Sequence, residues 1–179
     1  MFKKTLIAVA LAAVSTGAMA VDVSTSSIYT YGAEALNSGK IANDFSKVTL
    51  DEVALKLGAA YSVGDLIKIN ITGATFKTTD TFTLVTAAPA TDIETGFLSA
   101  TANQLVFRVT AVTAPTSAKV LSLATGTKIK LDSTAVGAKV TISASAETST
   151  GVKIDVAGDK DSLDVGSVIQ EHKFTKLLV

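Results

Sequence analysis

Ile67, Ile69 and Ile71 are separated by Lys68, Asn70 and Thr72, and this alternation of apolar and polar residues recurs along most of the chain. It returns at Phe82 and Leu84 beside Thr81 and Thr83, at Leu105, Phe107 and Val109 around Arg108, and at Ile129 and Leu131 around Lys128 and Lys130. A longer run sets Val140, Ile142, Ala144 and Ala146 against Thr141, Ser143 and Ser145, and Val152, Ile154 and Val156 close the series around Lys153 and Asp155. Successive side chains of an extended strand point to opposite faces, so each run buries one face and wets the other. Turn-forming residues interrupt the runs at short intervals: Gly64-Asp65, Gly73, Ala88-Pro89, Ala114-Pro115, Thr125-Gly126, Gly137, Thr150-Gly151 and Gly158-Asp159. Short half-buried strands punctuated in this way predict an all-β chain, an immunoglobulin-like antiparallel β-sandwich of about seven to nine strands. Its core is expected to join Ile69, Ile71, Phe82, Phe107, Val109, Ile142 and Ile154.

The first twenty residues stand apart from this pattern. Met1-Phe2-Lys3-Lys4 is a basic start, Thr5 to Val14 is an apolar run, and Ala18-Met19-Ala20 fits the small-residue rule for cleavage. That arrangement reads as a secretory signal peptide over residues 1–20, removed to leave a single β-sandwich domain over residues 21–179. The apolar run is too short to span a bilayer, and the mature chain offers no transmembrane segment. Loss of Lys3 and Lys4 turns a balanced chain of 16 basic and 16 acidic residues mildly acidic, which excludes a strongly basic nucleic-acid binder. The chain contains no cysteine, so disulfides, thiol nucleophiles and Cys-based metal sites are all excluded. A domain of this size buries enough surface to manage without covalent cross-links.

Residues 49–58 fit two readings. Thr49 and Glu52 have the spacing of a helix capping box, whereas Val53, Leu55 and Leu57 alternate with Ala54 and Lys56 as in a strand. The strand is favoured, paired through the connection 58–64 with the strand Leu66 to Thr72. The stretch from Tyr31 to Asp44, with Gly32, Asn37, Gly39 and Asn43, reads as loop with one helical turn at most.

Candidates for chemistry are few. His172, the only histidine, lies in Glu171-His172-Lys173-Phe174, and no Gly-x-Ser-x-Gly turn presents a serine nucleophile to it. Carboxylate pairs such as Asp51 with Glu52, or Asp92 with Glu94, are the remaining resource for a hydrolase, but adjacent strand residues point to opposite faces. Asp159, Asp161 and Asp164 form a weak calcium candidate, lacking the bidentate Glu of a full calcium loop. No cofactor is expected. Lys68, Lys128, Lys130, Lys139 and Lys153 could line up as a basic stripe, although lysines on exposed faces also guard sheets against aggregation. Tyr29 and Tyr31 are the only aromatic pair placed to serve as a sugar-stacking platform, since tryptophan is absent.

The run Tyr61-Ser62-Val63-Gly64-Asp65, followed by the alternating strand and Gly73-Ala74-Thr75-Phe76, resembles a phrase of secreted bacterial cell-surface sandwiches, cohesin-like and surface-layer-like modules among them. The resemblance implies a β-sandwich used in cell-surface assembly or attachment, with no catalytic residues to carry over. Length, leader and lack of cysteine are also similar to pilins assembled by strand donation, but Val21, Val23, Thr25 and Ser27 turn polar too early for a donor strand.

The expected function is therefore that of an exported, non-enzymatic structural or adhesive protein. It would lie outside the cell or on its surface, with the periplasm as second choice, and act through self-association or a surface partner. A glycan- or calcium-dependent binding module and a pilin-like subunit are the alternatives. The assembly edge is expected at the apolar end of the chain, Phe174, Leu177, Leu178 and Val179, which would need a partner sheet of its own. The abrupt apolar ending also suits a fragment of a longer surface protein.

Overall fold

The computed structural model describes residues 21–25, 29–57, 61–86, 93–113, 119–153 and 162–170. In chain order the elements are β1 (Val21–Thr25), β2 (Tyr29–Gly32), α1 (Ala33–Asn37), β3 (Val53–Leu57), β4 (Leu66–Thr72), β5 (Ala74–Phe76) and β6 (Leu84–Thr86). They continue with β7 (Ile93–Ala100), β8 (Gln104–Val112), β9 (Lys119–Leu123), β10 (Ile129–Leu131), β11 (Lys139–Glu147) and β12 (Ser162–Ile169). The protein is a nearly all-β sandwich, as the alternation requires. Strands β5, β6 and β10 are pieces of only three residues, so the number of strands among the described residues is larger than the alternating runs suggest.

A six-stranded sheet, in the order β2-β12-β11-β4-β8-β7, packs against a four-stranded sheet, β1-β3-β9-β6, and a two-stranded ribbon joins β10 to β5. All pairings are antiparallel except that of β2 with β12, which is parallel. Strand β3 settles the ambiguity at residues 49–58 in favour of extended chain. Its partners correct the expected pairing with the strand from Leu66. It lies between β1 and β9, whereas β4 lies between β11 and β8 in the other sheet. Strands β3 and β4 therefore lie in different layers instead of forming a hairpin.

Inward residues of both layers meet in one core. Ile67, Ile69, Leu105, Phe107, Ile142 and Ala146 from the six-stranded sheet join Val53, Leu55, Leu57, Leu121 and Leu123 from the four-stranded one, all nearly solvent-free. Of the expected core, Ile69, Ile71, Phe82, Phe107, Val109 and Ile142 are buried, and Ile154 lies outside the described residues. Four phenylalanine rings run in a chain, Phe76 to Phe82 to Phe97 to Phe107, with centroids 5.7, 5.6 and 5.8 Å apart in tilted or edge-on contact. Such arrangements suit the ring quadrupoles and add to the area they bury.

Gly73 sits where β4 leaves the large sheet and becomes β5. Its φ is +78°, and a Cβ there would run into the carbonyl oxygen of Lys139. Only glycine makes this bend, and the bend lets one continuous segment serve two sheets. Strand β10 is closed from its other side by Asn43, whose side chain donates to the Leu131 carbonyl at 3.0 Å and accepts from the Leu131 N–H at 2.9 Å.

Candidate assembly surface

A sandwich offers partners its two outer faces and its sheet edges. The outer face of the six-stranded sheet carries several polar groups that pair with one another, beside exposed Arg108 on β8 and exposed Leu98 on β7. Lys68 Nζ meets Glu147 Oε1 at 2.6 Å, and Gln104 donates to Asn70 Oδ1 at 2.8 Å. Lys139 Nζ meets Asp164 Oδ2 at 2.6 Å, while Thr141 donates to Asp164 Oδ1 at 2.8 Å. The hydrogen bond from Lys139, followed by that from Thr141, holds the Asp164 carboxyl below its ordinary value, and Asp164 raises Lys139 in turn.

The outer face of the four-stranded sheet mixes small, apolar and charged residues. The register sets Ala54 opposite Ser122 and Ser122 opposite Val85, with Lys56 opposite Val120 in the next outward row. Glu52 and Ala124 extend the pattern by one more row at the other end. Val85 is 52% exposed and Val120 38%, both at positions where the alternation calls for a polar residue. Glu52 and Lys56 are exposed, and the register sets Asp22 of β1 opposite Lys56 in the same outward row. A shallow hollow of about 310 Å³ opens over the end of β9, lined by Glu52, Val85, Ser122 and Thr125 among others.

The sequence candidates fall as follows. Asp164 is on β12 with both carboxylate oxygens engaged, and Asp159 and Asp161 lie outside the described residues. Among the described residues no group of three or more His, Asp or Glu side chains could hold a metal ion. Phe174, Leu177, Leu178, Val179 and His172 also lie outside them, as do residues 1–20. Asp51 Oδ1 accepts the Glu52 N–H at 2.8 Å, Glu94 is exposed on β7, and Asp92 is outside. The lysines do not form one stripe, because Lys68 and Lys139 sit on the large sheet while Lys130 belongs to the ribbon. Tyr31 is no platform residue. It is 5% exposed, and its hydroxyl donates to the Thr49 carbonyl at 2.7 Å.

The turn that carried the resemblance is a structural lock. Gly64 has a φ of +100°, and Asp65, 4% exposed, accepts the Ser62 N–H at 2.8 Å and the Ser149 N–H at 3.2 Å. It binds the start of β4 to the turn after β11. A family model described as S-layer protein Slr4 matches residues 65–175, which begins at this aspartate and takes in β4 through β12. The chain belongs to the Slr4 S-layer protein family. No curated protein matches it. Among solved structures, it is similar to the sixth cohesin from Acetivibrio cellulolyticus scaffoldin B, crystallised in complex with a Cel5 dockerin mutant. The identity is 14%, coverage is 86% of this chain and 99% of that one, and the TM-score is 0.37.

Membership of the Slr4 family places the chain among cell-surface layer proteins, in a structural or assembly role. Among the described residues no helix is long and apolar enough to cross a membrane. The Slr4 match covers the whole large sheet except β2, and from the four-stranded sheet it covers β6 and β9 only. Sequence reading missed the outer face that β6, β9 and β3 build together. The available signal was Val85 and Val120, two branched apolar residues in the outward phase of their strands.

Proposed function

We propose that this chain is an exported, non-enzymatic building block of a cell-surface layer, acting by self-association and not through a catalytic pocket. Residues 1–20 would direct export and be removed, leaving residues 21–179 as one domain. The observation that carries the reading is membership of an S-layer protein family over residues 65–175. Surface chemistry supports it. Lys68 pairs with Glu147 and Lys139 with Asp164 on the large sheet, Asp51 and Asp164 are committed to hydrogen bonds, and Val85, Leu98 and Val120 are exposed on strands. Flat apolar surface favours contact with another protein over capture of a small substrate.

The apolar stretch Phe174, Leu177, Leu178 and Val179 would supply an assembly edge. Deleting residues 174–179, with light scattering to read oligomer size and a thermal melt to read folding, tests this. Loss of self-association with the melt retained is the expected result. Loss of folding would make the stretch an ordinary core strand.

A further inference from the structure

We infer that the hollow beside Phe45, at one end of the β5–β10 ribbon, is a binding site for a single acidic sugar unit, one pyranose ring that carries a carboxylate. The inference goes beyond the assembly reading and does not depend on it.

Phe45 differs from the other phenylalanines among the described residues. Phe76, Phe82, Phe97 and Phe107 stack into one chain of rings, whereas Phe45 is half-buried and belongs neither to the core nor to the partly buried apolar residues packed against it. The chain nevertheless fixes it on both sides. Two residues earlier, Asn43 is bonded to both backbone groups of Leu131. Asp44 Oδ1 accepts the Ser46 N–H at 2.7 Å and the Ser46 hydroxyl at 2.5 Å, closing an Asx turn with Phe45 at its tip. Just after it, the Val48 carbonyl accepts the Ile129 N–H at 3.0 Å and Thr49 bridges to Lys128. An aromatic ring that is held in place yet left out of the core is preorganised to meet a ligand.

The hollow measures about 330 Å³ and is lined by Asp44, Phe45, Ser46, Lys77 and Lys128. That is the low end of the roughly 300–1,000 Å³ of small-molecule sites. The two lysines follow the paired Ile129 and Phe76 at the same end of the ribbon. An aromatic ring suits the apolar C–H face of a pyranose, and ammonium and carboxylate groups suit its hydroxyls. Both bonds from Ser46 use Oδ1, so Oδ2 of Asp44 remains to accept from a sugar hydroxyl.

The sign of the ligand follows from all the charged neighbours together. Lys77 Nζ is held by Asp80 Oδ1 at 3.0 Å. The Ser46 hydroxyl, then its N–H, and after them the charges of Lys47 and Lys130 hold the Asp44 carboxyl below its ordinary value, so it is an anion that those two lysines already face. Asp51 and Asp132 lie two residues beyond Thr49 and Lys130 and do not line the hollow. Lys128 is exposed, lines the hollow and has no ion-pair partner among the described residues. One uncommitted ammonium calls for one negative charge. Inorganic phosphate would use the ammonium and not the ring, and a neutral sugar the ring and not the ammonium, whereas a uronic acid uses both.

The test is an NMR titration of the mature protein with D-glucuronate, D-glucose and inorganic phosphate at constant ionic strength, with thermal melts as a folding control. Glucuronate should shift the amides of residues 44–46 and those around Lys77 and Lys128, with a Kd on the order of 1–10 mM, as suits one ring in an open hollow. Glucose and phosphate should each bind about threefold more weakly or worse, the scale of one exposed charge pair. Lys128→Gln should bring glucuronate down to the level of glucose and leave glucose unchanged, and Phe45→Leu, which keeps an apolar side chain in the turn, should weaken both sugars. Phosphate binding as well as glucuronate would make the hollow a plain anion site, and glucose binding as well would remove the role of the charge. Either result overturns the inference, as do a large excess of glucuronate that leaves residues 44–46 unshifted, a Lys128→Gln variant that keeps its preference, and a folded Phe45→Leu variant that binds like the parent. Self-association of the parent, read separately by light scattering, decides the assembly reading and not this one.

Discussion

Asp65 is one of two buried polar or charged residues among the described ones, and its carboxylate ties together two loops that lie far apart in sequence. Removing it leaves two backbone N–H groups without their acceptor. Asp65→Ala should therefore cost about 1–3 kcal/mol, read as a fall in the denaturant midpoint. The turn itself was visible as Gly64-Asp65. Its partner was not, because Ser149 is 84 positions away and nothing local in the sequence links the two. The same limit hid Tyr31, whose alternation with Tyr29 suggested an exposed platform until the packing of β2 against β12 turned its ring inward. Asp164 predicts a pH effect. Its folded value is depressed by Lys139 and Thr141, so the stability it contributes is present above its ordinary value of 3.8 and is lost as pH falls through the folded value. A melting comparison of parent with Asp164→Asn should show the parent's advantage at neutral pH and its disappearance in acid.

At the scale of elements, the period-two pattern located the strands well, because it reports directly which side chains leave water. Strand β11 is the clearest case, with Val140, Ile142, Ala144 and Ala146 all buried and every residue between them at least partly exposed. The pattern says nothing about which strands pair. For that reason the expected pairing of β3 with β4 fails, since the inward residues Val53, Leu55 and Leu57 pack from the opposite layer. Gly73 tests the account of how one segment feeds two sheets. Gly73→Ala combines a positive φ with a collision against the Lys139 backbone, and should cost at least about 1–3 kcal/mol. A chemical melt indistinguishable from the parent's would mean that the bend can relax. Ile71→Ala and Phe107→Ala remove buried side chains from the large sheet and should cost on the order of 2–5 kcal/mol each through lost contacts and a residual cavity.

For the whole molecule, the sandwich and its surface setting were legible because they follow from composition, alternation and the leader-like start. The assembly surface was only partly so. The outward valines Val85 and Val120 belong to strands 35 positions apart in sequence, and they share a face only because β6 and β9 pair. Under the proposed assembly, low charge would let copies approach closely, with exposed apolar residues such as Val85 and Val120 available for contact. The central claim is that the chain builds a layer outside the cell. Negative-stain imaging of the producing cell's surface, with and without this protein, tests it most directly. A regular lattice or coat that is present with the protein and lost without it is the predicted result, and a surface unchanged by its removal would contradict the account.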